Sequence, residues 1–181
     1  MCWVGARSLT NERGTAVTDE LSHTGPGGAP RMVDVSGKPV TRRRAVAEAY
    51  VTVGPRIAAR LREAGGLAKG NVLDTARLAG IMAAKRTATL VPLCHPLALD
   101  SVEVDAALEG DRVHIRTCVA AESRTGVEME ALTAAAVAAL TVYDMVKSAG
   151  KGVEIGPVRL VKKEGGKSGR WSREEQPDAT R

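Results

Sequence analysis

The order of apolar and polar positions predicts strands and helices in alternation over residues 31–163. "RRAVAEAYVTV" (43–53) has apolar residues at every second position, which is typical of a strand with one buried face. "PRIAARLREAGG" (55–66) has helical spacing between a first-turn proline and a Gly-Gly stop. "VLDTARLAGIMAAKRTATL" (72–90) has the same spacing, and we expect one helix that Pro92 ends.

The second half of this region predicts a hairpin, a long helix and a last strand. "LDSVEVDAALEGDRVHIRTCVAA" (99–121) consists of two alternating runs joined by the turn "LEGD". "VEMEALTAAAVAALTVYDMVKSAG" (127–150) is a helix that Gly150 ends, and "VEIGPVRLV" (153–161) is a strand. The long helix is apolar almost all round, which predicts packing against another subunit.

Without one extra helix, this order of elements is the β-α-β-β-α-β pattern of ferredoxin-like folds. We therefore predict an α+β fold with a ferredoxin-like antiparallel sheet, covered on one face by helices, and an additional helix. The flanking segments are aperiodic and rich in Gly, Pro and Ser. They predict a flexible N-terminal tail at 1–30 and a flexible C-terminal tail at 164–181, around one domain at 31–163.

Composition limits the class of partner. The net charge is +5 and the pI about 9.4, which favours anionic ligands. The chain has no Phe, two Trp and two Tyr, so stacking platforms for RNA are scarce and a small phosphorylated ligand is favoured.

Three cysteines without close spacing predict a reducing compartment. We find no run that reaches bilayer length and no secretory signal, and we expect a cytoplasmic protein with no membrane partner.

The segment "LVPLCHPL" (90–97) places a thiol beside an imidazole, between two prolines. Cys94 and His95 could be zinc ligands, a nucleophile with its base, or part of a rigid turn that contacts a substrate. A zinc site needs three or four ligands, and the residues that could complete one are His23, His114 and Cys118. Neighbouring side chains in an extended loop point apart, which disfavours a dyad. The plain alternative is a buried cysteine beside a hydrogen-bonded histidine.

Two pairs on the long helix are further candidates. Asp144 and Lys147 share one helix face at a spacing of i, i+3, usually as a solvated ion pair. If that neighbourhood is buried, desolvation would tune the pKa of the lysine for proton transfer. Glu128 and Glu130 suit a helix start, but they lie about 200° apart around the axis. One of them could bind the N–H edge of a guanine-like ring. Basic residues near element ends could line an anion pocket.

Four segments together resemble one family: "MVDVSGKPVTRRRAVAEA", "KGNVLDTARLAGIMAAKRTATLVPLCHPL", "SRTGVEMEALTAAAVAALTVYDMVKS" and "IGPVRLVKKEGGKSG". They are similar to the cyclic pyranopterin monophosphate synthases, the molybdenum cofactor biosynthesis protein C family, over about residues 31–169. The resemblance implies a phosphorus–oxygen lyase that forms a homohexamer, a trimer of dimers, with active sites between subunits. It implies a small nucleotide-derived substrate, (8S)-3′,8-cyclo-7,8-dihydroguanosine 5′-triphosphate, converted to cyclic pyranopterin monophosphate and pyrophosphate.

The resemblance also implies residue roles. Asp144 corresponds to the catalytic aspartate of the family, and Lys147 and Lys69 correspond to its essential lysines. The implied substrate-binding residues are Leu93, Cys94, His95, Glu128, Met129, Glu130, Lys163 and Arg44. No cofactor and no protein metal site are implied, with magnesium only as an optional companion of the triphosphate. The alternatives are a non-catalytic nucleotide- or RNA-binding ferredoxin-like module and a metal-binding Cys/His protein.

Overall fold

The computed structural model describes residues 28–64, 71–167 and 169–174. Contacts divide the chain into units 1–33 and 34–181, and the second unit carries the helices and strands that follow. The predicted tail at 1–30 lies almost wholly outside the described residues. The elements are β1 (Thr41–Thr52), α1 (Gly54–Ala64), α2 (Val72–Ala84), α3 (Thr87–Leu90), β2 (Ser101–Glu109), β3 (Arg112–Ser123), α4 (Glu128–Val146), β4 (Glu154–Glu164) and β5 (Trp171–Ser172).

The five strands form one antiparallel sheet in the order β2-β3-β1-β4-β5. Strand β1 lies between β3 and β4, so the first and last long strands are neighbours although they are far apart in sequence. This is the split arrangement of ferredoxin-like folds, and the predicted α+β class is confirmed. The predicted hairpin is confirmed as β2 and β3, and its turn contains Gly110 at φ 62°.

The core lies between the sheet and the helices. On β1, Ala45, Ala47 and Ala49 lie on one face of the strand and are wholly buried. Helix α4 packs on β1, β3, β4 and α2, and α2 also packs on β2. A chain without Phe fills this space with Val, Ile and Ala, and the small side chains let the helices approach closely.

The helices pack most closely where Gly80 of α2 faces α4. A Cβ added at Gly80 would lie 3.1 Å from the carbonyl oxygen of Ala134 and 3.2 Å from a methyl group of Val104. Helix α2 begins at a true N-cap, since the Asn71 side chain accepts hydrogen bonds from the backbone N–H groups of Leu73 and Asp74.

Two expectations need correction. The helix predicted to run to the prolines stops at Ala84, and a separate short helix follows at Thr87–Leu90. The buried Thr87 hydroxyl donates to the carbonyl of Ala84 at 3.0 Å, a local bond that competes with the regular helix ladder. In the segment predicted as a C-terminal tail, β4 continues to Glu164, and Trp171–Ser172 pairs with β4 as a fifth strand.

Among the described residues, α4 is the one helix long and apolar enough to cross a membrane, although we expected no such run. Half of that stretch is buried against the sheet and α2, as in the core helix of a globular domain. Its other side is not covered by the residues that the structure describes. Exposed apolar side chains on the helices are Leu78, Met82, Leu90, Met129, Leu140 and Tyr143.

Gly80→Val will destabilise the fold, because two methyl groups and a Cβ must enter the contact between α2 and α4. We expect a loss of about 1–3 kcal/mol in the free energy of unfolding, measured by urea denaturation. Gly152→Val is the control, since a Cβ there meets no atom within 4 Å. Equal losses in the two variants would contradict this account of the packing.

Candidate active site

A cavity of about 1010 Å³ opens where β1, β4 and the start of α4 meet. Its described walls come from 37–44, 124–128 and 163–167, and they carry more cations than carboxylates. The cationic members are Lys38, Arg43, Arg44, Arg124, Lys163 and Lys167, and the acidic ones are Glu128 and Glu164. This excess of positive charge beside a helix N-terminus suits a polyanionic ligand. We call it the cationic cavity.

Arg43 and Arg44 leave β1 on opposite faces of the sheet. Arg43 shares its face with Ala45, and its Nε and Nη2 donate to the carbonyls of Ser123 and Arg124, each at 3.4 Å. Arg44 also lines the cavity, but its Nε lies 3.1 Å from Sγ of Cys118 on the other face. Sequence reasoning assigned Arg44 to the substrate site and counted Arg43 only among the basic residues that could line an anion pocket. The buried alanines at every second position of β1 indicate that Arg43 is the one that faces the helices.

Glu128 and Lys163, two of the predicted substrate-binding residues, meet at this cavity. Nζ of Lys163 lies 3.2 Å from Oε1 of Glu128. The Glu128 side chain folds back over Gly126, where an added Cβ would lie 1.7 Å from Oε2. Only glycine at 126 therefore leaves room for this orientation of the carboxylate.

Glu130 faces the opposite direction and is buried, with 4% of its surface exposed. Its Oε2 has no hydrogen-bond partner in the described structure. Burial raises the pKa of this carboxyl, and the nearby charge of Glu128 raises it further. A buried acid with one unpaired oxygen is unusual, because the fold loses stability for it. It is a candidate for a group that a ligand completes.

The loop predicted to carry a substrate contact lies near Glu130. Burial raises the pKa of the Cys94 thiol, and the charge of Glu130 raises it further. The raised pKa disfavours the thiolate, which argues against a nucleophilic role for Cys94. Leu93 and His95 are half-buried in the same loop, and Met129 is exposed.

Asp144 and Lys147 form the predicted ion pair at 2.7 Å, but both side chains are more than half exposed. The hydrogen bond to Asp144 and its charge raise the pKa of Lys147. The described residues thus do not supply the burial that would tune this lysine. The pair also lies at the far end of α4: at ~1.5 Å per residue, Asp144 is about 21 Å and Lys147 about 26 Å from Glu130 along the helix axis. Lys69 lies outside the described residues.

Of the other metal-ligand candidates, His23 lies outside the described residues, and His114 and Cys118 lie on the sheet face without helices. Both ring nitrogens of His114 face carboxylates, Glu109 at 3.1 Å and Glu48 at 3.3 Å, and the ring stacks on Tyr50. Burial opposes ionisation of Glu48, but Arg159 and His114 more than offset it and lower its pKa. Within residues 28–64, 71–167 and 169–174, no cluster of three or more His, Cys, Asp or Glu side chains could hold a metal.

The described strands also lack a row of stacking platforms. They carry two aromatic residues, Tyr50 and Trp171, and Tyr50 already stacks on His114. The RNA-binding alternative depends on such aromatics.

Comparison with known proteins gives consistent matches over the whole fold. The MoaC family model matches residues 32–166. A protein of Streptomyces avermitilis named cyclic pyranopterin monophosphate synthase is 55% identical over 160 residues, 88% of this chain and 94% of that protein. A protein of the same name from Thermomicrobium roseum is 56% identical over 158 residues, 86% of this chain and 95% of that protein. Another from Streptomyces coelicolor is 56% identical over 155 residues, 86% of this chain and 91% of that protein.

Glu130→Gln will stabilise the fold in a pH-dependent way. A carboxyl whose pKa is raised on folding removes stability as the pH rises through its unfolded pKa of about 4.3 towards the folded value. The amide removes this loss, so we expect a gain of about 1–3 kcal/mol at pH 7.5 and little change at pH 4, measured by urea denaturation. Glu128→Gln is the control, since Glu128 is paired with Lys163. An equal gain at both pH values would contradict the assignment.

Proposed function

The chain belongs to the MoaC family, and on this premise we propose that it is a cyclic pyranopterin monophosphate synthase. It acts in molybdenum cofactor biosynthesis as a phosphorus–oxygen lyase. Its substrate is (8S)-3′,8-cyclo-7,8-dihydroguanosine 5′-triphosphate, and its products are cyclic pyranopterin monophosphate and pyrophosphate.

The observation that carries this proposal is the cationic cavity, whose wall includes Glu128 at the start of α4. In the last step a ribose hydroxyl attacks the α-phosphorus, and the bond to the β-phosphate oxygen breaks as the cyclic ester forms. Negative charge then accumulates on the departing pyrophosphate, and cations such as Arg43 and Lys163 stabilise it. The carboxyl of Glu130 is suited to an N–H group of the ring, because it is buried and unpaired on one oxygen.

Opening the guanine ring and closing the pterin ring require proton transfers. The proposed acid and base groups are Asp144, Lys147 and Lys69. Leu93, Cys94 and His95 form the neighbouring substrate-binding loop, with Met129 and Arg44 at the margins. The reaction needs no redox cofactor in this scheme, and magnesium would enter with the triphosphate.

The distance along α4 supports an active site shared between two chains. Along one rigid helix, Asp144 lies about 21 Å and Lys147 about 26 Å from Glu130, farther than one dihydropterin ring system can bridge. A second copy that places its Lys147 near Glu130 would complete the site and bury the exposed ion pair. We therefore propose a homohexamer, a trimer of dimers, in the cytoplasm, whose contacts also cover the exposed apolar side chains of the helices.

Purified protein incubated with the cyclised dihydroguanosine triphosphate is expected to release pyrophosphate and the cyclic pterin phosphate in equal amounts. The assay is chromatographic detection of both products, with GTP as the control substrate. A folded hexamer that gives neither product would exclude the proposed reaction.

Mixed oligomers test the shared site. Lys147→Ala and Glu130→Gln are each expected to abolish turnover. Since each site would take one residue from each chain, random mixing in equal amounts leaves about a quarter of the sites intact in a symmetric oligomer. Refolding the two variants together should therefore restore about a quarter of the normal rate. No recovery in a fully mixed hexamer would mean that both residues act within one chain.

A further inference from the structure

The guanidinium of Arg43 rests on the backbone of Gly166 in the wall of the cationic cavity. A Cβ built at Gly166 would lie 1.6 Å from Nη1 of Arg43 and 2.5 Å from Cζ. Both atoms belong to the end of a flexible side chain, so even the smallest side chain at 166 would displace the guanidinium while the backbone could stay in place.

The adjacent glycine has a different constraint. A Cβ at Gly165 would lie 2.2 Å from the carbonyl oxygen of Arg42, which is backbone of the central strand β1. Gly165 therefore permits the chain after β4 to pass close to β1, whereas Gly166 leaves space for the guanidinium of Arg43. The first glycine is needed for the packing of the fold, and the second for the position of a side chain in the cavity.

The guanidinium of Arg43 also makes two hydrogen bonds. Nε and Nη2 reach the carbonyls of Ser123 and Arg124 at 3.4 Å, near the upper limit for a hydrogen bond. Such long bonds hold the guanidinium weakly by themselves, so the surface of Gly166 is needed to limit its position. A guanidinium held in one position loses less rotational freedom when it binds a phosphate oxygen.

We propose that Gly166 is a positioning residue, which acts through Arg43 to preset a phosphate-binding guanidinium in the cationic cavity. The proposal rests on the proposed function, because it assigns the triphosphate part of the substrate to this cavity. It concerns binding alone, so inorganic tripolyphosphate can replace the substrate in the test.

Gly169 offers a closely matched control. Gly166 has φ 72° and Gly169 has φ 67°, so alanine at either position brings similar backbone strain. A Cβ at Gly169 meets no atom within 4 Å. The two alanine variants should therefore show similar shifts in Tm, and only Gly166→Ala should disturb Arg43.

The experiment is calorimetric titration of the intact protein with tripolyphosphate at fixed low salt. We expect Gly166→Ala to raise Kd about tenfold and Gly169→Ala to leave it within about twofold. Arg43→Ala should raise Kd at least as much as Gly166→Ala. In the Arg43→Ala background, Gly166→Ala should have no further effect, because its target is already absent.

Three results would overturn the proposal: unchanged binding by Gly166→Ala, an equal loss in Gly169→Ala, or a full additional loss in the Arg43→Ala background. The last of these would indicate a general structural role for the glycine. Absence of tripolyphosphate binding to the unmodified protein would overturn it as well. Because binding is measured without turnover, failure of the proposed reaction leaves the series interpretable.

Discussion

The close contact between α2 and α4 is the constraint on which the site depends. Gly80 lets the backbone of α2 approach Ala134, and a row of alanines on α4 continues the contact. After α2 ends at Ala84, the chain reaches the loop at 93–95 through the short helix α3. The Cys94 thiol of this loop lies close enough to Glu130 for the charge of the acid to raise the pKa of the thiol, and burial raises the pKa of Glu130 itself.

Helix α4 acts as a rigid spacer as well as a core element. Its N-terminal end bears Glu128 and Glu130, and its C-terminal end bears Asp144 and Lys147. A helix cannot bend to bring its ends together, so the candidate residues at the two ends of α4 lie in different parts of the same chain. The ion pair of Asp144 and Lys147 is exposed, and the buried Glu130 has one oxygen without a hydrogen-bond partner in the described structure. In the proposed oligomer one interface would bury the ion pair and place a partner near Glu130.

Sequence periodicity predicted the strands and helices well because the buried face of each element repeats along the chain. It failed at Lys85–Arg86, where the helix stops although the apolar spacing continues. It also failed at Trp171–Ser172, since two residues are too few to show alternation and their pairing depends on β4. The choice between Arg43 and Arg44 needed the register of β1, which assigns neighbouring residues to opposite faces.

The sequence by itself determined the class of fold, the family and the residue types that reach the site, because motifs and hydrophobic periods are local properties of the chain. Tertiary structure decided which of these residues meet. Only in the folded chain does Gly166 lie under Arg43, Glu128 pair with Lys163, and Cys94 lie near Glu130. These contacts join segments far apart in sequence, and their distances depend on helix packing and strand register, which no local pattern specifies.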